Sequence, residues 1–548
     1  VACERLRPGN RFQPEILPWL ILRPKAFAGE RPGRARGGRR EQLLAELDGA
    51  TCAAQLALRL GWDLDELGTV ARDVCDQGLA THQLEVPAAA PLPLHDLLRR
   101  TVAIPGAAAG GHLGLISRFL ELMDAYGPAG AARRDALGEE ALGLVGGVLG
   151  VTRPARKDRF YADHLPLREE CAGDMALRVG GRRARELREW TAPGLELLAG
   201  TAARVQVTGR QRVAHLLGAG STPLWQVAVR LRGEASPRDT ALQQRLADWE
   251  VSGPGEMDLR MLDLEGLGCP DGEPILGSVD LMVRAASLRA WAAGDYELVL
   301  GDIHDTVLLW GWPLQFHPER ERVEAETAAA LAALRPRLPL VTIISSRRTG
   351  LPPIELPGPV AELGGVSASA QPWRVPFDDL VVESDGRDAR LLSRGLGSEV
   401  RLTNGELEGL VQVAFALPQL RGPALDLGPR TPRIRLGPLV MQRERWKLTG
   451  EDVAQLTAAR GDLERLRAAC RVWERRGIPE RVFAKAAGER KPVLIDLSSP
   501  LLLRLLGRLL ARGEDVSLTE MLPGPDELWL VGPDGRHTAE LRCIFLHG

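Results

Sequence analysis

The stretch FDDLVVESDGRDARLLSRGLGSEVRL, Phe377 to Leu402, alternates apolar and polar residues on either side of Asp385-Gly386. An Asp-Gly pair supplies the positive φ that a two-residue turn needs, so the stretch reads as a β-hairpin. Working outward, the period changes repeatedly. Before it lie a strand–turn–strand pattern, YELVLGDIHDTVLLW (296–310), a helical pattern, ERERVEAETAAALAALRPRL (319–338), and a buried strand, PLVTIISS (339–346). After it come one or two amphipathic helices (451–477), a hairpin, RVFAKAAGERKPVLIDL (481–497), a helix (499–513) and a closing hairpin (526–546). Strands and helices mixed in this way predict an α+β protein.

The chain has 548 residues, too many for one core. The pattern predicts a multidomain chain with four segments. Residues 1–90 hold short strands and a winged-helix-like subdomain, and 91–295 are mixed. Residues 296–430 form an α/β region with the hairpin, and 431–548 hold the last hairpins and helices. In the first segment three short helices are predicted, over 41–49, 51–61 and 63–78, with Thr51 and Asp63 as N-caps and Gly61 and Gly78 as stops. An alternating strand, 79–86, follows. Helix 63–78 carries Asp63, Asp65, Glu66, Asp73 and Asp76 against Arg72 alone, which suits a peptide better than DNA phosphates. A purely structural role fits as well.

The net charge is −2 and the composition is 45% hydrophobic and 26% charged, ordinary for a globular protein. Seven scattered cysteines with no CxxC pair predict reduced thiols and a cytoplasmic location. No apolar run reaches membrane-spanning length, and the N-terminus lacks a signal-peptide core.

Against this neutral background PRIRLGPLVMQRERWKL, Pro432 to Leu448, gathers five cations and one acid. On an extended strand Arg443, Arg445 and Lys447 share one face at a pitch of ~6.6 Å, close to the phosphate spacing of a nucleic-acid strand. Two readings fit: a phosphate-binding ladder, or a charged strand face that blunts an edge. Asp302, His304, Asp305 and His317 in GDIHDT…HPE match no metal-ligand spacing and read as a hydrogen-bonded turn. Ser345 and Ser346 lie in no GxSxG elbow, and GAAAGGHLG (106–114) lacks the Lys-Ser/Thr of a P-loop.

Several segments, in order, resemble the N-terminal domain of lanthipeptide (lantibiotic) dehydratases. They are RFYADHLPL (159–167), the hairpin with Arg394, Gly397 and Glu399, the Pro-Arg-Ile strand closing on Trp446, and the segments RVFAKAAGERKPVLIDLSSPL and LTEMLPGPDELWL. The resemblance implies tRNA-dependent glutamylation, in which glutamate passes from glutamyl-tRNA to Ser or Thr of a precursor peptide. It implies no bound cofactor, with glutamyl-tRNA as co-substrate. It nominates Asp163, Arg394 and Arg433 for the reaction site. The ladder Arg443, Arg445 and Lys447 is then a candidate tRNA contact, and the winged-helix-like subdomain a leader-peptide recognition element, with Leu67, Val70 and Val74 as contacts. The expected partners are a leader-bearing precursor peptide, aminoacyl-tRNA and a separate elimination-domain protein, because the chain is expected to lack that domain and the family's earliest segment. Two other functions stay open. One is a peptide–aminoacyl-tRNA ligase that uses ATP, and the other is a truncated, non-catalytic leader-binding scaffold.

Overall fold

The computed structural model describes residues 16–25, 38–104, 110–149, 167, 169, 171, 173, 175, 177–247, 256–270, 275–304, 307–315, 317–334, 339–345, 352–369, 371–403, 407, 409–489, 491–513 and 515–547. Near the N-terminus β1 (Leu22–Pro24) is followed by α1 (Arg39–Glu46), α2 (Ala53–Leu60), α3 (Leu64–Asp76) and β2 (Ala80–His82). Gly61 ends α2 at φ +69°, a left-handed turn that a side chain would strain. Asp63 starts α3 by accepting the Glu66 N–H at 2.7 Å. Thr51 caps nothing: its hydroxyl is spent on Asp48 at 2.5 Å, and Cys52 stands at the cap of α2. β1 and β2 pair antiparallel, Leu22 opposite His82 and Pro24 opposite Ala80. The strand expected over 79–86 is cut to three residues because the chain turns, the Glu85 N–H donating to the His82 carbonyl. Leu20, Leu22, Leu43, Leu56, Leu67, Ala71 and Val74 fill the core between helices and ribbon. The winged-helix-like arrangement is therefore present.

Beyond this module come helices over Pro93–Val102, Gly110–Tyr126 and Ala131–Leu149. A single long helix then appears, α4 (Gly181–Leu217), where the sequence pattern had suggested mixed structure. Its period is interrupted by Pro193, Gly194, Gly200 and Gly209. Those small residues are contact points. A Cβ on Gly194 would meet Met441 and Leu439, and one on Gly200 would overlap the Leu267 carbonyl at 2.0 Å. The glycines let sheet and loop backbone press directly on the helix, at the cost of a legible helical pattern.

Along the chain then come β3 (Ile275–Arg284), β4 (Glu297–His304), the hairpin β5 (Leu380–Asp385) and β6 (Ala389–Ser393), β7 (Ile434–Leu436), β8 (Leu439–Gln442) and β9 (Arg445–Lys447). They are followed by α5 (Asp462–Arg476), β10 (Arg481–Ala486), α6 (Pro500–Leu510), β11 (Val516–Glu520) and β12 (Glu540–His547). A six-stranded mixed sheet runs β12–β3–β4–β8–β7 and ends on Met257–Asp258. A five-stranded antiparallel sheet runs Arg430–Thr431, β9, β11, β10 and Val493–Asp496. One face of the second sheet is covered by α5 and α6, whose Ala468, Val472, Leu503, Leu506 and Leu509 join the fully buried Trp446. A four-stranded sheet contains β5 and β6, which form the expected hairpin with the turn one residue later, on Gly386-Arg387: Ser384 lies opposite Ala389, the Asp385 N–H donates to the Asp388 carbonyl at 3.2 Å, and Gly386 takes φ +86°. A parallel sheet contains Leu340–Ile344 and Pro359–Glu362.

The six-stranded sheet draws strands from three of the four expected segments, so those segments interleave. Two expected pairings differ. Only 297–304 of the strand–turn–strand pattern is a strand among the described residues. The closing segment forms a short hairpin, Leu530–Gly532 with Gly535–His537, and then β12 leaves it to pair with β3 over eight residues. The winged-helix-like module is tied to the parallel sheet by Arg23 of β1, which pairs with the buried Glu362 at 2.8 Å.

Candidate functional site

Pro432–Leu448 does not stay in one sheet. β7 and β8 belong to the six-stranded sheet and β9 to the five-stranded one, so the chain crosses a seam at Arg443–Glu444. Arg433 and Arg435 straddle Ile434, whose side chain is buried in the core, and so emerge together on the other side. Arg433 binds Glu520 with two parallel bonds, Nε at 2.9 Å and Nη2 at 2.6 Å, and its Nη1 binds Glu256. Arg435 takes the second oxygen of Glu256 at 2.8 Å and Glu297 at 2.6 Å. Glu297 also holds Arg284 at 2.7 Å, and Arg284 holds Glu527 at 2.7 Å. The result is one alternating chain, Glu520–Arg433–Glu256–Arg435–Glu297–Arg284–Glu527, along the seam. Three guanidiniums face four carboxylates, so the chain carries about one negative charge. The hydrogen bonds that Arg433 donates to Glu520, with the carboxylate's charge, stabilise the Arg433 cation and raise its pKa. Burial alone would raise the Glu297 carboxyl, but Arg284 and Arg435 hold it below its usual range.

The expected ladder is corrected by this crossing. Arg443 lies in the link between strands, and its guanidinium is turned inward. It donates to the carbonyls of Leu522 at 2.9 Å and Leu300 at 3.1 Å and meets the Met282 sulfur. Burial lowers its pKa, and no carboxylate bonds it directly among the described residues. Arg445 and Lys447 do share a face of β9, opposite Trp446, but Arg445 donates to the Leu425 carbonyl at 2.9 Å and Lys447 pairs with Asp426. A phosphate-pitched row of three free cations is therefore absent here, because the sheet switch separates the first from the other two.

Arg394 has a different setting. It sits at the end of β6 in a turn built around Asp379. That carboxylate accepts the Ser393 hydroxyl at 2.5 Å and the Gly395 N–H at 2.8 Å, and Gly397 closes the turn at φ +64°. The Arg394 side chain is exposed, with no ion pair or hydrogen bond among the described residues. Asp163 lies outside the described residues. In the N-terminal module Leu67 and Val74 are fully buried in the module's own core, which corrects their assignment as peptide contacts; Val70 is half-buried. Their helical spacing marked the apolar face, and that face is turned inward.

Of the acid–imidazole run, Asp305 is outside the described residues and His317 accepts the Glu319 N–H at 3.1 Å. His304 bonds Asp280 at 3.0 Å, a partner the sequence gave no means to choose. No group of described residues could hold a metal ion, and none of the described helices is long and apolar enough to cross a membrane. The sequence reading missed Arg435, Arg284, Glu256, Glu297, Glu520 and Glu527. Alternation along Pro-Arg-Ile-Arg-Leu could have found Arg435, but the others come from distant segments.

The sequence profile described as "Lantibiotic dehydratase, N terminus" matches residues 217–506. The chain belongs to the lantibiotic dehydratase family. The matched residues include five of the seven groups in the seam chain, all but Glu520 and Glu527. Among solved structures, the tRNA-dependent lantibiotic dehydratase MibB from Microbispora sp. 107891 superimposes with a TM-score of 0.68 at 16% identity. The match covers 95% of this chain and 56% of MibB, so the chain spans little more than half of that protein. The glutamylation domain of TbtB, from thiomuracin biosynthesis, superimposes with a TM-score of 0.52 at 17% identity, covering 98% of this chain and 72% of that one. The same domain bound to 5'-phosphodesmethylglutamycin gives 0.51 at 16% identity, with 97% and 71% covered. At these identities the structures show a shared fold. No curated protein matches the chain by sequence. The lantibiotic dehydratase fold thus accounts for the mixed sheets, and the α+β multidomain class holds.

Proposed function

We propose that this chain transfers glutamate from glutamyl-tRNA to Ser or Thr hydroxyls of a precursor peptide. The observation that carries this reading is the family match over 217–506, which takes in five of the seven seam groups. The chemistry is consistent with it. A glutamyl ester is already activated, so transfer depends on holding the tRNA end and the hydroxyl together and on facing charge as it develops. Arg394, free of acids, is suited to a phosphate or carboxylate of the incoming tRNA end. Arg433, bound by two carboxylates, is suited to fixing the seam beside the reacting groups; Asp163 stays a candidate by family carry-over. Arg445 and Lys447 contact phosphate only by giving up Leu425 and Asp426, which makes them weak tRNA contacts, and Arg443 is not one. The N-terminal module is assigned to the leader peptide, which pairs with an edge of its ribbon.

The test is a reaction of the purified chain with a Ser/Thr-rich precursor peptide, glutamyl-tRNA and, separately, ATP, read by mass spectrometry. Glutamate-mass adducts that need the tRNA and not ATP are expected. A single residue added at the peptide C-terminus with ATP present would identify a ligase instead, and peptide binding with no mass change a scaffold.

A further inference from the structure

β3 turns Val279, Leu281 and Val283 into the main core, so Ser278, Asp280, Met282 and Arg284 line its other face. β12 places Glu540, Arg542 and Ile544 directly across from Met282, Asp280 and Ser278. This row starts at Arg284 in the seam chain, passes the Arg443 contact at Met282, and reaches Asp280 about 13 Å along the strand from Arg284. At Asp280 the setting changes from paired ions to an imidazole.

Asp280 is 2% exposed. Arg542 grips it with Nε at 2.7 Å and Nη2 at 2.9 Å, and His304 Nε2 lies 3.0 Å from its Oδ2. Burial alone would raise this carboxyl, but the bonds from Arg542 and His304 hold it below its usual range. An ionised carboxylate only accepts, so Nε2 carries the ring proton and Nδ1 keeps the lone pair. Nδ1 has no partner among the described residues, and the His304 side chain is 32% exposed. An imidazole with one nitrogen fixed by a buried carboxylate and the other unpartnered, on a half-buried side chain, is wired as a proton acceptor. The charged groups around it are Asp280 on β3, Arg542 and Glu540 on β12, and Asp302 on its own strand. Cys543, whose thiol burial pushes up, lies on the opposite face with the main core. The seam carboxylates are all bound to arginine, which favours their ionised form and makes them weak proton acceptors.

We propose that His304 is the general base of the transfer, with Asp280 and Arg542 as its positioning residues. The inference rests on the transferase reading. In the step, the Ser or Thr oxygen attacks the glutamyl ester carbonyl while its proton moves to His304 Nδ1. The new carbon–oxygen bond forms, the bond to the ribose oxygen breaks, and the imidazolium returns the proton to that leaving oxygen. Nothing is oxidised or reduced. A hydroxyl needs such help because it is a weak nucleophile at neutral pH.

The experiment compares the wild type with His304→Gln using glutamyl-tRNA and two acceptors. One is a Ser-containing peptide, and the other is methoxyamine, whose unprotonated nitrogen attacks esters without a base. Transfer to the peptide should fall about 10²-fold or more in the variant, while transfer to methoxyamine stays within about twofold. A step that needs a protein base should also slow toward acid in wild-type transfer to the peptide, with the methoxyamine reaction lacking that limb. Equal losses with both acceptors, or a wild-type peptide rate that does not fall toward acid relative to the methoxyamine rate, overturn the assignment. The wild-type pH profile needs no variant, so a His304→Gln protein that fails to fold does not shield the proposal. A wild type that transfers to neither acceptor overturns the transferase reading, and this assignment with it.

Discussion

The seam and the β5–β6 hairpin each present an arginine from a family-like run, and the two are held in opposite ways. Arg433 spends its guanidinium on Glu520 and Glu256, in a chain with more acids than bases. Arg394 is presented by a turn in which Asp379 satisfies the backbone and leaves the guanidinium bare. A paired, half-buried cation stabilises structure and resists exchange for a passing anion, because its release would strand buried carboxylates. A bare exposed cation does the reverse: it adds little to stability and is free to meet phosphate. The same residue type therefore has two roles, set by what lies beside it.

The largest expected effect is at the seam. Arg433→Ala leaves Glu520 buried without its main partner and should cost about 3 kcal/mol in denaturant unfolding. A loss below about 1 kcal/mol would mean the chain is loosely held and would erase the contrast. Next is Arg443→Ala, which strips a donor from the Leu300 and Leu522 carbonyls across the two sheets and should cost about 2 kcal/mol. Arg443→Lys, which keeps the charge but not the fork, should recover only part of that loss. An unchanged unfolding midpoint in Arg443→Ala would show that the link is not pinned there.

A third test uses acid. Glu362, which anchors Arg23, would be raised by burial alone, yet Arg23 and the Ser367 N–H hold it below its ordinary 4.5. Its folded value is depressed, so its contribution is complete above about pH 4.5 and is lost as the pH falls through the folded value. Glu362→Gln should be less stable at neutral pH by about 1 kcal/mol and should flatten the acid limb of a stability–pH curve. A limb of unchanged steepness would remove Glu362 from the docking account. The smallest effect on stability belongs to Arg394→Ala, within about 0.5 kcal/mol of the wild type. Its effect should appear elsewhere, as weaker tRNA binding with a log–log salt slope reduced by about 1. A stable variant with an unaltered slope would return Arg394 to the solvated surface.

Local chemistry was legible in the sequence. Asp385-Gly386 marked its hairpin to within one residue, Asp63 and Gly61 bounded their helices, and the alternation around Trp446 separated the two faces of β9. Such features depend on residues a few positions apart, whose dihedrals and faces are set by neighbours. The family resemblance was legible too, and the match over 217–506 bears out the family; three of its five runs lie within those residues, and 159–167 and 518–530 lie outside them. The extent of α4 was not, because the glycines that bring other backbone against it also break its pattern.

The tertiary structure alone decided which charges are committed. Glu520 and Arg433 are 87 residues apart, Glu256 and Arg433 are 177 apart, and Arg542 reaches Asp280 across 262. No periodicity links positions so distant; only strand order in the sheets does. Sequence set which residues could carry charge or a proton and which way each strand faces. The sheet crossing at Arg443–Glu444 settled that Arg443 is spent on carbonyls and Arg433 on acids, and the pairing of β3 with β4 brought His304 to Asp280.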